Sequence, residues 1–214
     1  MKSMNLGSLL VLAALLTLIG VNPQHLQAQT GPYMMVFLTL DPNRPVLPQE
    51  IIDSLQASHL ENIQRLANEG KLLIVGRFES GGGIFVMSTG TKDSADLWLS
   101  TDPALRSKRW IVETYPYVPR IGGICVVAVK YEMETYSFVR FEWKDKNAEN
   151  RMMSLFNRKS IVGAGLLQGS GSVLVIRGDV DEKALTLDRV VQEQKIAVAV
   201  RKLNIAKGSF CEDR

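Results

Sequence analysis

The chain has 214 residues, of which 46% are hydrophobic and 22% charged, a balance typical of a globular protein with one large domain or two small ones. The formal charge is only +3, and the basic residues are scattered among acidic ones. This composition gives no indication of nucleic-acid binding, and we expect none.

The N-terminus carries a short apolar segment, "LLVLAALLTLIGV", from Leu9 to Val21. Its length matches the hydrophobic region of a signal peptide, about 7 to 15 residues, and falls short of the roughly 20 residues of a membrane-spanning helix. The small residue Ala28 offers a cleavage point. We therefore expect residues 1–28 to be a signal peptide and the mature protein to be secreted or periplasmic, free of the membrane. An uncleaved membrane anchor is the alternative.

Export would change the inventory of reactive side chains. Cleavage removes His25 and leaves His59 as the only histidine of the mature chain. A site built from several histidines is then excluded, and two cysteines argue against a structural zinc cluster, so we expect no metal and no cofactor. An oxidising compartment permits a disulfide between Cys125 and Cys211, although the sequence leaves their separation open.

The first half of the mature chain reads as strand, helix, strand, strand, helix, strand. An alternating strand runs from Tyr33 to Leu40, and the helix after it ends near Glu69, where Gly70 supplies a left-handed residue. The strands "KLLIVGRF" and "IFVMS" are joined by the glycine-rich "ESGGG", which is typical of a hairpin. A helix near 92–100 and a strand from Trp110 complete the order of a ferredoxin-like unit.

The second half repeats this order with little identity. Gly76 corresponds to Gly165 and Ile84 to Val173, both at a spacing of 89 residues. Each half also ends in a cysteine. The remaining elements of the second half are predicted to be two helices and a last strand at 148–158, 181–194 and 196–203.

We therefore predict an α+β fold of two tandem ferredoxin-like βαββαβ units, at residues 33–125 and 136–211, joined by a linker at 126–135. A sheet with helices on one face leaves its other face uncovered. The two units are accordingly expected to pack sheet to sheet as an intramolecular pseudo-dimer, and the protein to be a monomer.

The first predicted helix contains a histidine within an apolar stripe. Ile52, Leu55, His59, Ile63 and Leu66 follow one another at steps of three and four residues, so they lie on one face. An imidazole there could serve as a general acid or base, since it titrates near neutral pH. It could equally be a core histidine that hydrogen-bonds a backbone carbonyl.

Residues 33–125 resemble the YCII-related family of the dimeric α/β-barrel superfamily. The resemblance rests on "SHLENIQRLANEGKLLIVG", on the glycine-rich turn and on "STDPAL". It implies that His59 and Asp102 face one pocket as a cofactor-free acid-base dyad of lyase or isomerase type. It also implies a small-molecule substrate, since elimination chemistry on chlorinated aromatic compounds is attached to some members. Relatives often have Gly-Pro-Phe after the second strand, and here Arg77 and Phe78 are expected to line the pocket.

Two alternatives remain open for this site. Asp102 followed by Pro103 is also the pattern of a helix N-cap, so capping alone would account for this aspartate. At the spacing of 89, His59 corresponds to Ala148 and Asp102 to Val191, so the second unit is a degenerate copy with at most one site per chain. The alternative function is a non-enzymatic small-ligand-binding or interaction protein that retains the fold.

Overall fold

The computed structural model describes residues 28–29, 31–125, 127, 131–143 and 158–211. The predicted signal peptide lies outside the described residues except for Ala28. The helix predicted at 148–158 also lies outside them, apart from the start of a 3-10 helix at Arg158–Ser160. In the part of the chain that is described, no helix has the length and apolar character needed to cross a membrane.

The centre of the molecule is a closed barrel of antiparallel strands. The strands that the described residues contribute are β2 (Tyr33–Leu40), β3 (Leu72–Phe78), β4 (Gly83–Met87), β5 (Trp110–Ile121), β7 (Met133–Glu142), β8 (Ile161–Leu167), β9 (Gly171–Ile176) and β10 (Ala197–Ala206). Around the barrel they follow the order β10-β3-β4-β2-β5-β8-β9-β7. Together with the helices outside it, this barrel confirms the predicted α+β class.

The two halves of the chain contribute neighbouring strands in the same relative order. The first half supplies β3-β4-β2-β5 and the second half supplies β8-β9-β7-β10. Gly76 lies opposite Ile84 in the first hairpin, and Gly165 lies opposite Val173 in the second. The two hairpins therefore share one register, at the spacing read from the sequence.

The halves are joined along their edges, which differs from the expected packing of two separate sheets. β5 pairs with β8 through Tyr117 and Leu167, and β10 pairs with β3 through Leu203 and Phe78. Pairing at both seams satisfies backbone groups that two isolated sheets would leave open at their edges. One closed barrel results, with a single core enclosed by both halves.

The helices of the first half lie where the sequence predicts them. Helix α1 (Gln49–Asn68) is followed by Gly70 at φ 67°, which confirms the predicted glycine stop. Helix α2 (Lys92–Leu99) begins after Thr91, whose side chain accepts a hydrogen bond from the backbone N–H of Ser94. A short helix, α3 (Pro103–Arg106), precedes β5.

The helix predicted at 181–194 is instead two short helices. Helix α4 (Glu182–Thr186) is capped by Asp181, and helix α5 (Arg189–Glu193) is capped by Asp188. The carboxylate of Asp188 accepts a hydrogen bond from the N–H of Val190 and so starts a second helix within the predicted one. The helical pattern of residues 181–194 does not show that Asp188 acts as a cap in the middle of this segment.

Apolar side chains form one cluster inside the barrel and one on the outer face of each half. Phe78 and Phe138 belong to the inner cluster. On the outer face of the first half, Phe85 packs with Leu66 of α1. On the outer face of the second half, the buried cluster includes Val191 of α5.

A small sheet closes the end of the barrel at which β5 and β10 finish. It consists of β1 (Ala28–Gln29), β6 (Gly123–Cys125) and β11 (Phe210–Cys211) in the order β1-β6-β11. Ile124 and Phe210 from this sheet are buried in the inner cluster. Cys125 and Cys211 form a disulfide with Cα atoms 5.6 Å apart, so the two halves are covalently linked at this end.

Candidate functional site

The apolar stripe of α1 faces the outer surface of the first half of the barrel. Leu66 is buried, and Ile52, Leu55 and Ile63 are partly buried, as the helical spacing predicts. The His59 side chain lies on the same face and is 12% exposed. Its position leaves the imidazole close to the protein interior while one edge remains within reach of solvent.

Asp102 is the N-cap of α3. Its Oδ1 atom accepts hydrogen bonds from the backbone N–H groups of Ala104 at 2.9 Å and Leu105 at 3.3 Å, with Pro103 at the first helical position. The predicted cap is confirmed. The Asp102 side chain is nevertheless only 1% exposed, whereas a cap that serves only the helix end can stay in solvent.

The buried carboxylate is also paired with the histidine. The Nδ1 atom of His59 lies 2.6 Å from Oδ2 of Asp102, so α1 and α3 bring the two predicted residues together. A carboxylate can only accept, and Nδ1 therefore carries the proton that it donates. Within the described residues, Nε2 of His59 has no hydrogen-bond partner. The partner of the imidazole is a carboxylate and not a backbone carbonyl.

A buried amide, which the sequence reading missed, completes the network. Nδ2 of Asn62 donates to Oδ2 of Asp102 at 3.4 Å, and the Asn62 side chain is buried. Its Oδ1 accepts hydrogen bonds from Nη2 of Arg65 at 2.8 Å and from the Thr101 hydroxyl at 2.9 Å. Asn62 stands one helical turn after His59, and this three-residue step was the signal available in the sequence.

The surroundings of the imidazole are aromatic. The ring of His59 stacks on the ring of Phe85 from β4, with centroids 6.1 Å apart and planes 26° apart. In the described part of the chain, no group of three or more His, Cys, Asp or Glu side chains is placed to hold a metal ion. The site therefore offers one imidazole edge, a fixed carboxylate behind it and an apolar wall.

Arg77 and Phe78, the residues expected to line the same pocket, point to opposite faces of β3. Phe78 is 1% exposed and belongs to the inner cluster, whereas Phe85, on which His59 stacks, lies on the outer face. The sheet thus separates Phe78 from His59, which corrects the expected pocket. Arg77 is exposed on the outer face. Alternation along a strand makes neighbouring residues face opposite ways, so the two could not line one pocket.

The structure also corrects the residue that corresponds to Asp102 in the second half. Met34 lies opposite Met87 and Ser137 opposite Ile176, which follows the hairpin spacing of 89, so the preceding residues Tyr33 and Tyr136 occupy corresponding positions. Tyr33 pairs with Tyr117 and Tyr136 pairs with Leu203, so the last strands of the halves correspond at a spacing of 86 residues. At that spacing Asp102 corresponds to Asp188, not to Val191. Asp188 is likewise the N-cap of the helix before the last strand. The aspartate is retained in the second half, whereas the sequence has no histidine there.

Comparison with known proteins gives a likeness at the level of structure. No protein-family model matches the chain, and no curated protein matches it. A solved structure from Lactobacillus acidophilus NCFM, described as a "putative monooxygenase", is similar with a TM-score of 0.44 and 13% sequence identity. The likeness covers 83% of this chain and 94% of that one.

Proposed function

We propose that this protein is a YCII-like, cofactor-free enzyme in which His59 and Asp102 perform acid-base chemistry on a small molecule. The observation that carries the proposal is the contact of 2.6 Å between Nδ1 of His59 and the buried carboxylate of Asp102. Such a pair orients an imidazole and stabilises the imidazolium that forms when the imidazole takes a proton.

Asp102 is the positioning residue of the proposed pair. Its two oxygens accept from four N–H groups, those of His59, Asn62, Ala104 and Leu105. Together these donors hold the carboxylate in one orientation. With its proton on Nδ1, a neutral His59 leaves Nε2 free to accept a proton, as a general base requires.

The reaction that suits this arrangement begins with proton removal from carbon. Nε2 of His59 would take a proton from a carbon next to a carbonyl group, and the C–H electron pair would become the double bond of an enolate. Returning the proton to another carbon completes an isomerisation. Departure of a leaving group from the neighbouring carbon, with its electron pair, completes an elimination. The apolar wall formed by Phe85 favours a substrate with an aromatic or apolar body.

The same proposal extends to the organisation of the chain. We infer that residues 33–125 are a YCII-like unit and residues 136–211 a degenerate tandem copy without catalytic activity. The common strand order and hairpin register of the halves support this inference. Because two halves complete a barrel within one chain, we propose that the protein acts as an exported monomer.

Solvent exchange tests the chemistry without knowledge of the natural substrate. A panel of small carbonyl compounds is incubated with the protein in D₂O, and deuterium at the α-carbon is followed by mass spectrometry. We expect exchange with the wild type, a loss of at least about 100-fold in His59→Gln, and a smaller loss in Asp102→Asn. Asp188→Asn is the matched control, because it alters the corresponding cap in the half that has no histidine.

Undiminished exchange in His59→Gln would contradict the dyad. If no compound in the panel exchanges and the purified chain instead retains an unmodified small molecule, the non-enzymatic binding function is the better account.

A further inference from the structure

The barrel end opposite the disulfide carries two arginines on its inner face. Phe138 of β7 pairs with Arg201 of β10, so Arg140, two residues beyond Phe138, is the diagonal neighbour of Arg201 on the same face. Such neighbours have Cα atoms about 7 to 8 Å apart. Phe138 and Leu203 belong to the inner cluster, and alternation along each strand places both arginines inside the barrel as well.

Arg140 spans the barrel from one half to the other. Its two Nη atoms bind the carboxylate of Glu113 on β5 at 2.9 and 3.1 Å, and its guanidinium lies 4.3 Å from the ring centroid of Phe37 on β2. Glu142 adds a second carboxylate at 2.8 Å. The charge of Arg140 is thus balanced by acids, yet its Nε atom is buried without a hydrogen-bond partner.

The positive charge of Arg201 is not balanced by a neighbouring carboxylate among the described residues. Its Nε and Nη2 atoms donate to the hydroxyl of Ser80 at 3.1 and 3.0 Å, and Nη2 also donates to the carbonyl of Gly81 at 2.6 Å. The guanidinium stacks 3.7 Å from the ring centroid of Phe78. Among the described residues, no carboxylate lies within ion-pair distance of Arg201, and its Nη1 atom has no partner.

A partly buried guanidinium with neutral partners alone is costly, because desolvation of the charge is not offset by an opposite charge. Burial lowers the pKa of Arg201, in keeping with that cost. The hairpin nevertheless fixes the side chain in one orientation, with Nη1 left open. An anion from solution would supply the opposite charge that these partners lack.

We propose that this end of the barrel binds a small organic monocarboxylate, held by Nη1 of Arg201 beside Arg140. The charges of the cluster select the class. Both carboxylates of the cluster, Glu113 and Glu142, bind Arg140, and Arg201 has no carboxylate within ion-pair distance among the described residues. One negative charge is enough to pair with Arg201, and repulsion from the two glutamates disfavours a ligand with a second negative charge. The site lies inside the barrel, separated by the sheet from His59, and does not depend on the proposed enzymatic function.

Isothermal titration calorimetry with benzoate in low-salt buffer tests this site. We expect saturable binding of one benzoate per chain, weakened at least tenfold in Arg201→Gln. Ser80→Ala, a change on an exposed hairpin, should weaken binding severalfold, because it removes the hydroxyl that orients Arg201 without touching the core. Arg189→Gln removes the same charge from an exposed helix position and should leave the affinity within twofold.

Three results would overturn the proposal. Equal losses in Arg201→Gln and Arg189→Gln would mean that benzoate responds only to net charge. Inorganic phosphate binding more tightly than benzoate would contradict the monocarboxylate class. Loss of benzoate binding in His59→Gln would place the ligand at the other face of the sheet. If Arg201→Gln does not fold, as judged by circular dichroism, Ser80→Ala decides, and unchanged affinity in that variant contradicts the proposal.

Discussion

Asp102 in the first half and Asp188 in the second half occupy corresponding positions, but only Asp102 has a histidine partner. Each aspartate caps the short helix that precedes the last strand of its half. Asp102 is 1% exposed and bound to His59, whereas Asp188 is partly exposed and accepts one backbone hydrogen bond. Capping therefore belongs to the fold of both halves, and the buried charge pair is an addition confined to one.

The features that both halves share belong to the fold, and the features found in one half belong to the candidate site. Strand order, hairpin register, the helix cap and the terminal cysteine occur in both halves. The histidine and the amide of Asn62 occur on α1 alone among the described elements. A test of function must therefore compare Asp102 with Asp188, since both cap a helix but only Asp102 also contacts His59 and Asn62.

The largest expected effect comes from cutting the covalent link between the halves. Replacing Cys125 and Cys211 by serine removes a cross-link between residues separated by 86 positions, which is worth about 4 to 5 kcal/mol of unfolding free energy in the chain-entropy model. Urea unfolding of the variant and of the wild type measures the difference. A loss below about 1 kcal/mol would show that the small sheet of β1, β6 and β11 holds this end of the barrel together without the disulfide.

Removal of the two aspartates should destabilise the halves unequally. Asp102→Ala removes a cap and also leaves His59 and the buried Asn62 without their acceptor, so we expect a loss of about 3 kcal/mol. Asp188→Ala removes a cap alone and should cost about 1 kcal/mol. Thermal and urea unfolding measure both values. Equal losses of unfolding free energy in the two variants would mean that Asp102, like Asp188, stabilises the protein only as a helix cap.

The ionic link between the halves gives a smaller effect that depends on pH. The hydrogen bonds from Arg140 hold the pKa of Glu113 below its usual value, so this pair stabilises the folded state above the unfolded pKa and the contribution is lost as pH falls through the folded pKa. Glu113→Gln should cost about 1 kcal/mol at pH 7, a value kept small because the Glu113 side chain is 37% exposed.

As the pH falls below about 4.3, the usual pKa of a glutamate, the difference in stability between wild type and Glu113→Gln should shrink. Glu142→Gln is the control, since Glu142 also contacts Arg140 but is more exposed and lies on the same strand. A stability difference between wild type and Glu113→Gln that stays constant from pH 7 to pH 3 would contradict the pairing.

Much of the fold could be predicted because its signals are local. The stop at Gly70, the cap at Asp102 and the hairpin between β3 and β4 each depend on a few adjacent residues. The closure of the barrel depends on the pairing of β5 with β8 and of β10 with β3, which join residues far apart in the sequence. Sequence patterns do not predict the register of such pairs. The contact between Arg140 and Glu113 follows from that closure, so the sequence could not indicate it.

The candidate site was predictable in part for the same reason. His59 interrupted an apolar stripe, and the motif around Asp102 resembled a known family. Phe78 was assigned to the wrong face, because the side of β3 that α1 covers is decided by the tertiary fold. A uniform spacing of 89 residues pairs Asp102 with Val191, whereas the halves correspond at 89 residues only in the hairpins and at 86 in the last strands.

The protonation of the His59 ring tests the proposed base most directly. Long-range ¹H–¹⁵N NMR distinguishes the two ring nitrogens, and the signals of His59 are those that disappear in His59→Gln. We expect neutral His59 to carry its proton on Nδ1, with Nε2 unprotonated, and we expect Asp102→Asn to redistribute this proton while Asp188→Asn leaves it in place. A neutral His59 with its proton on Nε2 in the wild type would contradict the proposed role of the pair.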